Sequence, residues 1–211
     1  MTLEGLEIKT INRDKSYHGW PTVARRKSGE LLVVASAGRR EHVDPFGQLH
    51  LIRSNDDGAT WSWPQILADT ALDDRDAGII ETSRGTLIVC WFTSLAWLNC
   101  LYRQEIGVIN WLSTETLALW RRYRHEKIEQ IDARQELGSW ILRSEDGGQT
   151  WAPRVPALVS SPHGPIELSD GRLLHVGKQT GPYENWVRGS SHEGMPIAAA
   201  ESCDEGKSWQ I

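Results

Sequence analysis

The chain has 211 residues, of which 39% are hydrophobic and 24% are charged, and its formal net charge is −5. This composition predicts an ordinary soluble globular protein of one domain, and the negative charge argues against nucleic acid or an anionic membrane as a partner. There is no apolar run of the roughly 18 residues that a bilayer requires, and residues 1–15 lack the pattern of a signal peptide. The three cysteines, an odd number without a C-x-x-C pair, argue against a disulfide framework or a zinc site.

Several short strands are predicted by one recurring pattern, in which a polar turn containing glycine is followed by a run of branched residues. The pattern occurs at residues 30–36, 85–92 and 172–176. Branched residues favour extended backbone, and glycine with polar residues favours the preceding turn. The sequence therefore predicts an all-β chain built from hairpins.

One helical insertion is predicted near residues 113–137. This segment has no proline and no glycine, and it begins with Ser113 in the position of a helix N-cap. Its apolar residues recur roughly at helical spacing, namely Leu117, Trp120, Tyr123, Ile128 and Ile131. The stripe predicts a helix that packs against the sheets, and a lid over a site is the alternative.

The strongest signal is a repeat of the form S-x-D-x-G-x-[ST]-W. It occurs at residues 54–61 (SNDDGATW), 144–151 (SEDGGQTW) and 202–209 (SCDEGKSW), in a chain with 11 tryptophans and only 2 phenylalanines. The carboxylate can accept hydrogen bonds from its own turn, the glycine permits a positive φ, and the tryptophan can bury its ring. We therefore expect three hairpin turns whose aspartates have a structural role.

This repeat resembles the Asp-box, or BNR repeat, of the sialidase (neuraminidase) superfamily. The resemblance implies a six-bladed β-propeller, of which residues 1–211 would supply about three to four blades of a single domain, incomplete at its C-terminus. The first two repeats are 90 residues apart and the next two are 58 apart. Since a blade takes roughly 40–50 residues, the first interval holds either two blades or one blade with the helical insertion, which we favour.

Two polar segments are candidates for a site, and solvated surface is the alternative for each. The first covers residues 38–47 and the second covers residues 73–78. Both are predicted to lie between strands, and both mix carboxylates with arginine. In the second segment, Asp74, Arg75 and Asp76 are candidates for contacts with sugar hydroxyl groups or a carboxylate, with a salt-bridged turn as the alternative.

The resemblance to sialidases implies roles in the first segment. In that family a Y-R-I-P segment precedes the first inner strand, a G-R pair ends that strand, and an aspartate follows in a flexible loop. The corresponding order here implies that Asp44 is the acid/base carboxylate and that Arg39 contacts the substrate, with Arg40 also lining the pocket. Sialidases use a tyrosine nucleophile helped by a glutamate, and three arginines hold the substrate carboxylate.

The chain departs from the family where Y-R-I-P would stand, because residues 17–21 read YHGWP and supply no arginine. His18 could donate to a carboxylate or carry a proton, and Trp20 could stack on a sugar; a loop histidine and a core tryptophan are the alternatives. The nucleophile and the last two arginines of the family pattern would lie beyond Ile211. Tyr183 and Arg188 are the only late Tyr–Arg pair, and we assign them no role.

A second histidine occupies a comparable place later in the chain. Residues 161–165 (SPHGP) repeat the His-Gly…Pro chemistry of residues 18–21, which predicts that His18 and His163 converge near the propeller axis. The chain has no phosphate-binding glycine loop, H-E-x-x-H or G-x-S-x-G motif. We therefore expect no cofactor and no catalytic metal.

These observations predict an exo-acting glycoside hydrolase that releases a terminal acidic sugar, most simply sialic acid. A hydrolase or lyase for another uronic or deoxy sugar, using His18 or His163, is one alternative. A propeller that binds glycans without catalysis is the other, since a fold carries function only loosely. The substrate class favours a periplasmic or secreted protein, although no segment of the chain demonstrates export.

Overall fold

The computed structural model describes residues 8–12, 14–180 and 194–211, so Tyr183 and Arg188 lie outside the described residues. The chain forms three four-stranded antiparallel sheets. The first sheet has the order β1-β2-β3-β4, with strands Tyr17–Arg25, Leu31–Arg39, Gln48–Ser54 and Gln65–Ala68. The second has the order β5-β6-β7-β8, with strands Asp73–Glu81, Leu87–Ser94, Ser139–Ser144 and Val155–Pro156.

The third sheet is built around a long central strand. Its strands are β9 (Val159–Ser160), β10 (Ile166–Glu167), β11 (Leu173–Gln179) and β12 (Ile197–Ser202). Both β9 and β10 pair with β11, which also pairs with β12, so residues 161–165 interrupt one edge strand. The three sheets confirm the predicted β architecture, whereas the number of blades stays a prediction.

The sheets pack face to face through alternating residues of their strands, because successive side chains of a strand point to opposite faces. Leu87 and Val89 of β6 pack against the first sheet, where Leu32 and Leu51 are fully buried. Ile88 and Cys90 point to the other face and contact Leu173 of the third sheet. β6 is therefore buried on both faces.

The helical insertion lies between β6 and β7, so the 90-residue interval holds one sheet with an insertion, as favoured above. It is more divided than predicted: α2 (Thr114–Glu126) is followed by a 3₁₀ turn (Ile128–Gln130) and α3 (Ala133–Glu136). Ser113 caps α2 by accepting a hydrogen bond from the Thr116 backbone. An additional helix, α1 (Ala96–Glu105), was not predicted. Within the described ranges, no helix has the length and apolar character required to span a membrane.

All three repeats form the predicted turns. In the first, the Asp56 carboxylate accepts hydrogen bonds from the Ser54 hydroxyl (2.8 Å) and from the Thr60 backbone and hydroxyl (2.8 and 2.5 Å). Asp146 and Asp204 accept the same set of bonds in their own turns. These donors, led by the Thr60 hydroxyl, lower the pKa of Asp56 to about 2. The aspartates of the repeat are thus occupied by the turns that they close.

Residues 73–76 correct one prediction, because they form the start of β5 and do not lie between strands. Asp73, Asp74 and Arg75 pair with Ser94, Thr93 and Phe92 of β6. A run of charges had suggested a solvated loop. The strand forms because its charged side chains are buried with partners, as the site geometry shows.

Candidate active site

The inner strand of each sheet is interrupted by a residue with an unusual backbone. Trp20 in β1 has φ 51°, Asp76 in β5 has φ 51°, and His163 between β9 and β10 has φ 71°. Side chains other than glycine rarely adopt this left-handed conformation, and such residues cluster at functional sites. The three sheets therefore repeat one structural device at the same place.

The interruptions in β1 and β5 are β-bulges. Between Gly19 and Thr22 the inner strand advances three residues while β2 advances two, from Ser36 to Val34. The same excess occurs in β5 between Arg75 and Gly78, opposite Phe92 and Cys90 of β6. A bulge bends the strand and redirects a side chain. The sequence comparison of residues 18–21 with 161–165 found two of these places but did not identify Asp76 as the third.

Trp20 is the aromatic centre of the cluster. The guanidinium carbon of Arg75 lies 4.7 Å from the centroid of its ring and that of Arg39 lies 5.2 Å away. The His42 ring is 5.0 Å from it, centroid to centroid. Two cations held against one indole form favourable cation–π contacts. Trp20 therefore fixes the two guanidinium groups in place.

Arg39 is fully buried in an ion pair with Asp73. Its Nη1 and Nη2 atoms lie 2.7 and 2.9 Å from the two Asp73 oxygens. They also donate to the Ser36 hydroxyl and the His42 carbonyl, while Nε donates to the Glu41 carbonyl. Both charged side chains have 0% exposure. Arg39 thus joins the first sheet, the loop after β2 and the second sheet, and its donors are used within the protein.

Gly47 leaves the space that this ion pair needs. A Cβ atom at that position would lie 2.1 Å from Asp73 Oδ1 and 2.7 Å from Arg39 Nη1. The backbone carbonyl of Gly47 also accepts a hydrogen bond from the Asp74 amide. The loop after β2 therefore closes directly over the pair.

Asp76 lines a cleft of about 490 Å³, together with Phe92, Pro162 and Lys178, among others. Within the described chain, Asp76 Oδ1 and Arg75 Nε are buried atoms without a hydrogen-bond partner. Burial raises the pKa of Asp76, and the nearby Arg75 opposes that rise. Burial also lowers the pKa of Arg75, opposed first by Asp73. Asp76 at the edge of the cleft and its neighbour Arg75 therefore each have one polar atom with unused hydrogen-bonding capacity.

His163 joins the cluster through Thr22. The Thr22 hydroxyl donates to the Ala77 carbonyl (2.8 Å), so it must accept in its 2.6 Å contact with His163 Nδ1. This assigns the proton to Nδ1 and leaves a lone pair on Nε2. Gly78 packs directly beneath, since a Cβ there would lie 2.4 Å from the His163 carbonyl carbon. His163 is exposed and is therefore available as a proton acceptor.

Asp44 and Arg40 stabilise the loop after β2. Asp44 is 1% exposed, and its Oδ2 atom accepts from the Arg40 backbone (2.9 Å) and from Arg40 Nε (3.0 Å). The Arg40 guanidinium also lies over the Phe46 ring, which contacts Tyr123 of α2. The helical insertion thus packs on this loop. In this arrangement the Asp44 carboxylate is directed into its own loop.

Asp74 points away from the cleft. Its carboxylate accepts hydrogen bonds from Trp91 Nε1 (2.7 Å) and from the Thr70 backbone (2.8 Å), and the residue has 0% exposure. Burial raises its pKa to about 6, opposed by these two donors. Asp74 therefore connects two segments of the second sheet inside the protein.

His18 does not converge with His163, which corrects that expectation. His18 contacts Ser16, Asp14 and Asn12, and its ring lies 6.1 Å from that of His50. The two histidines share no contact residue among the contacts found in the described chain. The side chain of His18 leaves the strand just before the bulge, whereas His163 is itself the left-handed residue between β9 and β10.

The structure therefore assembles Trp20, Arg39, Arg75, Asp76 and His163, and it separates from them Asp44, Arg40, Asp74 and His18. Three further members of the cluster were not identified as candidates from the sequence, namely Thr22, His42 and Asp73. Asp73 and Arg75 are two positions apart in a strand, an alternation that places both on one face. Thr22 and His42 have no comparable signal in the sequence.

No protein-family model and no curated protein matches this sequence. Among solved structures, a protein of unknown function from Dyadobacter fermentans is 20% identical with a TM-score of 0.58; the match covers 93% of this chain and 54% of that one. The NanB sialidase from Streptococcus pneumoniae is 12% identical with a TM-score of 0.58, covering 96% and 45%.

An α-L-arabinanase from Penicillium chrysogenum is 16% identical with a TM-score of 0.51, covering 92% of this chain and 48% of that one. The chain thus spans about half the length of these structures. The sialidase and the arabinanase differ in activity, and a fold of this kind supports many unrelated activities. At these identities, the comparisons show that the chain has a sialidase-like fold.

Proposed function

We propose that this protein is an exo-acting glycoside hydrolase of the sialidase type, which releases a terminal acidic sugar from glycoconjugates. The observation that carries the proposal is a cluster at the left-handed residues of the inner strands. Arg75 lies over the Trp20 ring, Asp76 is close enough to Arg75 and His163 to interact electrostatically with both, and Asp76 lines the cleft. An aromatic ring, a guanidinium group and a carboxyl group are the groups that such a substrate requires. The sialidase-like fold supports the same substrate class.

Each group has a role that follows from its chemistry. Arg75 binds the carboxylate of the sugar, since a guanidinium group can bind a carboxylate with two parallel hydrogen bonds and its Nε atom has no hydrogen-bond partner among the described residues. Trp20 holds Arg75 in position through their cation–π contact. His163, with its free Nε2, accepts a proton from a sugar hydroxyl group or from water. We assign no nucleophile.

We propose Asp76 as the group that donates a proton to the leaving oxygen. Its raised pKa keeps the carboxyl protonated at a higher pH than an exposed aspartate, as a general acid requires. Its Oδ1 atom has no partner in the described part of the chain. Asp44, which the resemblance to sialidases favours, is instead held by Arg40. For Asp44 to act, the loop after β2 would have to open.

The proposal is tested by release of 4-methylumbelliferone from its sialoside, measured on the whole gene product beside a panel of uronides and deoxy sugars. Asp76→Asn and Asp44→Asn are compared with Asp170→Asn, a matched exposed aspartate in a turn. We expect kcat to fall about 10²- to 10⁴-fold in Asp76→Asn and to stay unchanged in Asp170→Asn. Thermal unfolding of each variant separates lost chemistry from lost folding.

The other outcomes decide between the remaining functions. A large loss of turnover in Asp44→Asn alone would return the acid/base role to that residue. If the protein does not turn over the sialoside but does turn over another sugar, it is a different glycosidase or lyase. His163→Gln would then test whether His163 is its catalytic base. Absence of turnover on every substrate, with glycan binding detected by tryptophan fluorescence, would identify a non-catalytic glycan-binding protein.

A further inference from the structure

Three side chains that can bind metal ions meet on the face of the first sheet that is turned away from the second sheet. Asp14 precedes β1, His18 belongs to β1 and His50 belongs to β3. One ligand atom from each lies within 4.8 Å of the others, and His18 Nε2 is 3.2 Å from Asp14 Oδ2. No role in the cleft explains this cluster.

The hydrogen bonds of His18 fix the proton on its ring. Its Nδ1 atom lies 3.0 Å from the Ser16 carbonyl oxygen, which can only accept. Nδ1 therefore donates, and Nε2 keeps its lone pair. That lone pair faces the carboxylate of Asp14, whose other oxygen, Oδ1, accepts from the Ser16 amide at 2.8 Å. The local chain thus leaves one nitrogen lone pair and one carboxylate oxygen side by side.

His50 is oriented in the same manner by Gln48. Its Nε2 atom lies 2.9 Å from Gln48 Oε1, an amide oxygen that can only accept. Nε2 therefore donates, and the lone pair is on Nδ1, a buried atom without a hydrogen-bond partner in the described residues. The residue is 7% exposed, so an unsatisfied nitrogen here is unfavourable. Metal-bound histidines usually donate their second nitrogen in this way.

The acceptor atoms of Asp14 and His18 lie close enough together that a positive charge between them would be favourable. The Asn12 amide nitrogen donates to both Asp14 Oδ2 (3.0 Å) and His18 Nε2 (2.9 Å). A partly positive N–H group thus bridges two acceptors that would otherwise repel each other. A cation would satisfy the same two atoms and also the lone pair of His50, which Asn12 is not seen to contact.

We propose that Asp14, His18 and His50 bind one divalent transition-metal ion, with zinc as the best fit. Two imidazole nitrogens and one carboxylate oxygen suit zinc, whereas calcium and magnesium prefer oxygen ligands. Tetrahedral zinc with bonds of about 2.0–2.1 Å requires ligand atoms about 3.3 Å apart, close to the 3.2 Å between His18 and Asp14. Water completes the fourth position. The ion fastens the segment before β1 to β3.

The test uses the whole protein, stripped with a chelator and titrated with zinc chloride by calorimetry. We expect one zinc ion per chain, a higher Tm in zinc, and no response to calcium or magnesium. Cobalt chloride gives a second readout, since tetrahedral cobalt(II) has intense visible absorption. The variants are His18→Gln and Asp14→Asn, both partly exposed, with His125→Gln on the surface of α2 as the matched control.

Loss of the calorimetric signal and the cobalt absorption in His18→Gln and Asp14→Asn, with both kept in His125→Gln, would support the site. Wild-type protein that binds no zinc would overturn it. Binding of equal strength in wild type and in His18→Gln would also overturn it, by assigning the ion to another surface. The readouts are independent of glycoside turnover, so this proposal and the proposed function fail separately.

Discussion

Replacement of Arg39 by methionine tests the energetic centre of the structure. Arg39 has no exposed surface and binds both oxygens of Asp73, at 2.7 and 2.9 Å. Methionine fills much of the same volume without a charge or a donor. In the variant, Asp73 keeps only Arg75, whose Nη1 atom is 3.6 Å away. The carbonyl groups of Glu41 and His42 lose their donor as well.

The expected loss is large because the remaining groups stay buried. Removing one partner of a buried ion pair costs about 3–5 kcal/mol, a substantial part of the roughly 5–15 kcal/mol that stabilises a typical domain. The matched control is Arg25→Met, which removes an ion pair to Asp57. The side chains of that pair are 58% and 75% exposed, and such pairs contribute about 0–1 kcal/mol.

The assay is equilibrium unfolding in urea, followed by tryptophan fluorescence at pH 5 and pH 8. Burial raises the pKa of Asp73 to about 7 against the opposing effect of Arg39 and Arg75, and removing Arg39 raises it further. A carboxyl with a raised folded pKa contributes most to stability below its ordinary value of 3.8, and loses that contribution as the pH rises through the folded value. The loss of unfolding free energy in Arg39→Met, relative to wild type, is therefore larger at pH 8 than at pH 5.

A deficit below about 1 kcal/mol, or one equal to that of Arg25→Met, would refute the reasoning. A deficit that does not depend on pH would refute its electrostatic part. If Arg39→Met does not fold, Arg39→Lys serves as the second variant. It keeps the charge but loses the forked geometry, and we expect an intermediate loss.

Two further changes have defined outcomes. The turn holds the pKa of Asp56 at about 2, so the contribution of this carboxylate to stability is present above pH 3.8 and is lost as the pH falls towards 2. The Tm difference between wild type and Asp56→Ala should therefore shrink at low pH. A Tm difference that stays constant with pH would contradict this. In Gly78→Ala, the new Cβ would lie 2.4 and 2.5 Å from backbone atoms of His163 and Gly164. Calorimetry should therefore show a lower Tm, and the glycoside assay should show a lower kcat. An unchanged Tm would contradict the close packing.

The turns of the repeat could be predicted because all their interactions are local. The hydrogen bonds of the first turn join residues of one seven-residue segment, namely Ser54, Asp56, Gly58 and Thr60. The spacing of these residues in the sequence therefore directly indicates which of them are in contact. The insertion was predicted for the same reason, since Ser113 carries a local capping signal that the structure uses. Local chemistry of this kind can be read directly from a sequence.

Helix α1 could not be predicted because it lacks such signals. Its first turn contains no acidic residue, and Leu95 at its N-cap makes no side-chain hydrogen bond. The helix forms where Trp97 and Leu101 pack with Trp120 of α2 and with Leu72. These contacts join residues at least 19 positions apart, and tertiary packing of an apolar face stabilises most helices in proteins.

The site was only partly predictable, because its geometry depends on backbone bulges and on ion pairs between sheets. Asp44 matched the order of the family pattern, but its carboxylate is held by Arg40 in its own loop. Asp76 has no family signal in that pattern, yet the bulge in β5 places it at the cleft. The mixed charges of residues 73–78 therefore identified Asp76 as a candidate for substrate contacts, whereas the family pattern implied the acid role for Asp44.

The repeated left-handed residue explains how one architecture can present different chemistry in each sheet. The left-handed residue is tryptophan in the first sheet, aspartate in the second and histidine in the third. Holding each residue in this left-handed conformation costs about 1–3 kcal/mol. Contacts in the surrounding structure must offset that cost. The device keeps the backbone geometry constant while the side chain varies. A substitution at Trp20, Asp76 or His163 should therefore change what the cleft binds more than it changes the fold.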